Sequence, residues 1–122
     1  MPGLLLFLML ALSVSTVAQS VPDKHHGPDC SGAGDWAAGT TLAAMKNADL
    51  INPGKIDPPK TKIVRLASER IGKDLWHQVY LVSFTMKSGE IIQAIAVHDA
   101  SNEECSMTSA DVFVISKHLG SE

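Results

Sequence analysis

The chain has 122 residues, a formal net charge of −3, 45% hydrophobic residues and 19% charged ones. That length fits a single domain, and so weak an acidity excludes nonspecific nucleic-acid binding, which needs a basic patch. Two cysteines are too few for a disulfide-dense scaffold, and no Cys-x-x-Cys redox pair or His-Glu-x-x-His metal motif occurs.

Residues 4–14 form an uncharged apolar run, too short to span a bilayer comfortably as a mature helix. Small residues follow, and Thr16-Val17-Ala18 suits cleavage before Gln19, with cleavage after Ser20 a close rival. The pattern predicts a secretory signal peptide over 1–18, although no Lys or Arg precedes the run. No Cys occupies a lipobox position after it, which argues against a lipoprotein. An exported chain, periplasmic or secreted, with Cys30 and Cys105 favours one disulfide between them. It would close a long loop and contribute about 4 kcal/mol by chain entropy.

Residues 19–34 are rich in Gly, Pro and polar side chains, which predicts a flexible lead-in pinned at Cys30. His25 and His26 lie in it and read as solvated. Residues 35–120 are the expected folded domain. Asp35–Leu50 reads as a helix with Asp35 as its cap and an apolar stripe of Ala38, Leu42, Met45 and Ala48. Asn52-Pro53-Gly54 stops it. Trp36 is placed over an edge of the sheet. Lys55–Lys60, with Asp57-Pro58-Pro59, is an extended connector. Thr61–Arg70 is a first strand, with Arg65 and Glu69 on one face and Val64, Leu66 and Ser68 on the other. Ile71–Asp74 is a turn.

The centre of the chain is a hairpin, Leu75–Lys87 with Glu90–Asp99, around Ser88-Gly89. A two-residue turn places Met86 opposite Ile91, Phe84 opposite Gln93, Val82 opposite Ile95 and Tyr80 opposite Val97, all on one apolar face. The other face, including Val79 opposite His98, is mixed and expected to be partly exposed. Ala100–Ser109 is a polar loop, Ala110–Leu119 the last strand, and Gly120–Glu122 a tail. The order is one helix and then four strands with short joints. This predicts an α+β fold, an N-terminal helix packed on a four-stranded antiparallel meander.

A leading helix on such a sheet resembles the cystatin-like arrangement, and Leu75–Asp99 is similar to the strand pair of PepSY-type exported modules. The resemblance is one of layout. The cystatin inhibitory string Gln-x-Val-x-Gly has Gln78-Val79-Tyr80-Leu81-Val82 as its nearest counterpart, which lacks the Val and the Gly. The inhibitory loop is therefore not carried over.

Candidate binding residues are His77, His98, Asp99, Glu103 and Glu104, with His118 a further titratable group. In the two-residue-turn register His77 and His98 share the polar face, close enough for two imidazoles to meet one metal or anion. No third ligand is evident, so neither a metal site nor a cofactor is assigned, and no catalytic residue is named. Asp99, Asn102, Glu103 and Glu104 give the loop acidic oxygen ligands without the EF-hand pattern. No phosphate loop or nucleophile elbow is present. These features favour a small exported binding protein, an inhibitor or immunity-type protein whose partner is another exported protein. The alternatives are a ligand-binding or catalytic module with a helix–sheet pocket holding His77 or His98, and a metal-binding protein using His25, His26, His77 and His98.

Overall fold

In a computed structural model of the protein, the strand Leu75–Thr85 alternates buried and less buried residues along its length, as a strand covered on one side must. The structure describes residues 26–116, with Gly3 and Leu119. The signal-peptide reading, His25, His118 and residues 120–122 lie outside the described residues. Four strands, β1 (Lys62–Gly72), β2 (Leu75–Thr85), β3 (Ile91–Ala100) and β4 (Asp111–Ile115), form one antiparallel sheet in the order β1-β2-β3-β4. One helix, α1 (Trp36–Asn47), packs on one face of this meander. The fold is the α+β layout that the sequence predicts.

The β2–β3 register differs from the expected one. Tyr80 pairs with Ala96, Val82 with Ala94 and Gln78 with His98, one residue away from the two-residue-turn pairing. The Met86 amide donates to the Glu90 carbonyl (2.7 Å) and the Gly89 amide to the Met86 carbonyl (2.8 Å). The loop is thus three residues, Lys87-Ser88-Gly89, and Gly89 takes the left-handed position at φ 92° that closes it. One extra loop residue turns β3 over, because strand side chains have period two. Ile92, Ala94, Ala96, His98 and Ala100 face the core side, while Ile91, Gln93, Ile95 and Val97 face the other. The β2 row Tyr80, Val82, Phe84 and Met86 is buried, as expected.

A second phase change lies in β1. Arg65 pairs with Tyr80 and Ala67 with Val79, leaving Leu66 as a bulge. Arg65 and Ser68 therefore both stand on the core side, and Val64 and Glu69 on the open side, which corrects the simple alternation. The strand also runs on to Gly72, so the joint to β2 is only Lys73-Asp74.

The core lies between α1 and the inner sheet face. Met45, Ala37, Ile51, Ile56, Tyr80, Val82, Phe84, Ala94, Ala96 and Ala100 form one buried cluster. α1 buries Ala37, Ala38, Thr41 and Met45; Ala48 is exposed, so the contact stripe is rotated from the expected one. Thr41 is tolerated because its hydroxyl donates to the Ala37 carbonyl (2.6 Å). Asp35 precedes α1, but its carboxylate accepts from the Gly32 amide (2.9 Å) rather than capping the helix. Trp36 is 38% exposed. The Cys30 and Cys105 sulfurs are at bonding distance, with Cα atoms 5.9 Å apart and 75 residues between them in sequence.

Candidate functional site

The turned β3 separates the two histidines that the sequence places together. His77 stands on the open face, where its Nδ1 lies 2.6 Å from Asp99 Oδ1. His98 points into the core, 2% exposed, with its ring stacked on Tyr80 at 5.5 Å between centroids. Its Nδ1 lies 3.2 Å from the Asp99 carbonyl, and its Nε2 is buried with no hydrogen-bond partner among the described residues. A shared metal or anion between His77 and His98 is thereby ruled out. Of the predicted binding residues only His77 and Asp99 meet. Glu103 and Glu104 are exposed in a loop folded on Ser101, whose hydroxyl accepts from the Glu104 amide (3.1 Å). Asp74 Oδ1 accepts from the Asn102 amide (3.0 Å) and tethers that loop to the β1–β2 joint. Among the described residues no group of three His, Cys, Asp or Glu side chains is placed to hold a metal ion.

On the core side the sheet holds a polar network that the sequence does not announce. The Tyr80 hydroxyl donates to Gln78 Oε1 (2.6 Å) and accepts from the Cys30 amide (3.0 Å). Gln78 Nε2 donates to the Pro28 carbonyl (2.8 Å) and to Ser68 Oγ (3.0 Å). The Arg65 guanidinium donates to the same Pro28 carbonyl (2.8 Å). These bonds strap residues 27–30 over the end of the sheet beside Trp76. Gly27, at φ 74°, lies so close to the Trp76 ring that a Cβ there would stand 2.5 Å from it. Burial pushes the Tyr80 phenol above its ordinary value, while hydrogen bonds from Ser31 hold the Asp29 carboxyl below its own. This network is structural: it satisfies buried polar atoms and fixes the strap.

Between α1 and the start of the sheet lies a half-open recess of about 200 Å³, lined by Ala38, Gly39, Leu42, Pro53, Ile56 and Phe84 among others. Its lining contains no titratable side chain, and neither His77 nor His98 reaches it. The expected catalytic pocket built on a histidine is not formed there.

The feature that stands out is the face that α1 leaves bare. Cross-strand partners line up there in rows. Val64, Leu81, Ile95 and Phe113 are successive neighbours across all four strands and make one continuous apolar row. Ala67, Val79, Val97 and Asp111 make a second row beside it. A row with polar residues bounds each side: Lys62, Ser83 and Gln93, ending at Ile115 on β4, on one, and Glu69, His77 and Asp99 on the other. Val64 is 51% and Phe113 60% exposed, and Leu66 and Ile91 are exposed nearby.

No family model, curated protein or solved structure matches the chain.

The bare face is the candidate functional site. Exposing large apolar side chains to water costs free energy, so a contiguous apolar stripe with a polar rim has the anatomy of a protein-docking surface. The sequence reading missed it because it assigned Ile95 and Val97 to the core. A signal was present: β2 and β3 carry apolar residues at both odd and even positions, as strands do when both of their faces meet something.

Proposed function

We propose that the protein is a small exported, non-enzymatic binding module that docks on another protein through its open sheet face. The observation that carries this reading is the apolar row Val64–Leu81–Ile95–Phe113 with its neighbours Ala67, Val79 and Val97, uncovered by any described element and bounded by Lys62, Ser83 and Gln93 on one side and Glu69, His77 and Asp99 on the other. Export is supported by the apolar run at residues 4–14 and by the cysteine pair at bonding distance, a bond that lasts in oxidising compartments. No helix among the described residues is long and apolar enough to cross a membrane. The helix-on-meander layout resembles the cystatin-like arrangement, and the proposal extends that likeness to the layout alone. An inhibitor or immunity role fits a domain that presents one preformed flat surface on a stapled frame, since such a surface binds without first ordering itself.

The test is affinity capture from the exported fraction with the wild-type protein and with Phe113→Asp. Phe113 is mostly exposed, so its replacement leaves folding nearly intact while a charge enters the β4 end of the docking row. The expected result is capture of a defined protein by the wild type and its loss with Phe113→Asp. Retention of every bound protein by the folded variant would refute the open face as the binding surface.

A further inference from the structure

We infer that the occupant of the open face is a second copy of this chain, packed face to face about a two-fold axis that runs across the strands. This rests on the docking reading above and names its partner. The argument is electrostatic. Two sheets stacked with their faces together admit two isologous arrangements with strands roughly aligned. If the two-fold axis runs along the strands, each row lies over its own copy. Strand order then reverses, so Lys62 lies over the other copy's Ile115 and Glu69 lies past the end of the other copy's β4; His77 and Asp99 are matched, but neither exposed charge of β1 finds an opposite one.

If the axis runs across the strands, between the two apolar rows, the order of rows reverses. The two central rows then cover each other, apolar on β1, β2 and β3, with Asp111 over the other copy's Phe113 at the edge strand β4. The Lys62 row lies over the partner copy's acidic row, and β1 lies antiparallel over β1. Each Lys62 meets the Glu69 of the other copy, and each Gln93 meets the other copy's Asp99, which can accept a hydrogen bond. The same pairs form twice by symmetry. Neither Lys62 nor Glu69 has an ion-pair partner among the described residues, so both charges are unspent in the single chain.

The size of the face sets the strength. Strands ~4.8 Å apart and rows ~6.7 Å apart give a flat footprint of roughly 500 Å² per copy. A standard specific interface removes about 800 Å² of accessible surface per partner. The dimer is therefore weak and concentration-dependent, dissociating on dilution.

The experiment uses protein purified from the exported fraction. Sedimentation from about 1 to 500 μM should show the mass rising from one chain toward two. Equal amounts of ¹⁴N- and ¹⁵N-labelled protein are mixed and treated with a zero-length carbodiimide, and linked peptides are read by mass spectrometry. Lys62–Glu69 links are expected, half of them between labels. Within one chain these residues lie about 20 Å apart on the same strand, too far for such a link. Leu81→Asp should weaken association at least tenfold, roughly what charging the centre of an apolar interface does. Phe113→Ser serves as the milder variant should Leu81→Asp fail to fold. Lys62→Glu should weaken it about threefold or more, and adding Glu69→Lys should restore it.

A single-chain mass at every concentration overturns the inference, as does a dimer untouched by the Leu81 and Phe113 substitutions or one lacking mixed-label Lys62–Glu69 links. A face covered instead by residues 19–25 of the same chain would give that single-chain mass. A single chain that still captures another protein, and loses it with Phe113→Asp, overturns the second copy and leaves the docking function standing. A single chain whose capture ignores Phe113→Asp overturns both.

Discussion

At the scale of single residues, Tyr80 joins the sheet to the strap. It is the chain's only tyrosine, fully buried, and it both donates to Gln78 and accepts from the Cys30 amide. The neutral phenol is the form that makes both bonds, and burial raises its pKa above that of the unfolded chain. Folded protein thus holds the phenolic proton more tightly than unfolded protein. This contribution to stability is complete below about pH 10 and is lost as pH rises through the folded pKa. Urea midpoints should fall above about pH 10, in step with tyrosinate absorbance, which here reports Tyr80 alone. Tyr80→Phe should lose about 1–3 kcal/mol near neutrality, because the Cys30 amide and Gln78 oxygen are left unpaired, and it should remove the phenol's share of the alkaline decline. A phenol that titrates at its ordinary value in the folded state would contradict this assignment. His98, stacked beside it, shows what the sequence conceals at this scale. A histidine in an alternating strand carries no mark of the side it faces, and only the hairpin register decides it.

At the scale of elements, that register is set by one glycine. Ser88-Gly89 fits a two-residue primed turn, and it fits equally the end of a three-residue loop closed by a left-handed glycine. The second is adopted. The two choices differ only in backbone geometry, so the tripeptide does not separate them. Side-chain size pointed the wrong way: Ile95 and Val97 are larger than Ala94 and Ala96, yet the alanines are the buried ones. The reason is the helix. α1 presents Ala37 and Ala38 to the sheet, and small residues on both surfaces suit a close approach of helix and strand. The β1 bulge at Leu66 was illegible for a related reason: nothing in Arg65-Leu66-Ala67 marks an extra residue. By contrast, the type and order of the helix and the four strands were legible, since long periodic runs and the Pro and Gly stops bound them. The expected extended connector Lys55–Lys60 instead lies between and within two short 3-10 turns, Pro53–Lys55 and Pro58–Lys60, because proline at a first helical position favours a tight turn as readily as an extended chain. A Cβ on Gly89 would meet nothing within 4 Å, so its cost is backbone strain alone at φ 92°. Gly89→Ala should therefore lower stability by about 1 kcal/mol without changing the β2–β3 pairing. Thermal unfolding and cross-strand amide contacts by NMR check both parts; an unchanged midpoint would count against the left-handed loop.

At the scale of the whole molecule, the chain builds half a sandwich. One face of the sheet carries the helix, the strap and the Cys30–Cys105 pair; the other carries nothing that the described residues supply. A bridge over 75 residues limits the unfolded chain and contributes about 4 kcal/mol in the chain-entropy picture. That helps to explain how so small a core holds while bulky residues are left outside it. The surplus of apolar side chains on the bare face is the molecular basis for reading the protein as a docking module. The most direct measurement is hydroxyl-radical footprinting of the dilute and the concentrated protein, resolved residue by residue. The account predicts heavy labelling of Val64, Ile91 and Phe113 on dilution, protection of Val64 and Phe113 on concentration, and protection of Tyr80, Val82 and Met45 throughout. Phe113 shielded in the dilute single chain, or Tyr80 labelled while the fold is intact, would contradict it.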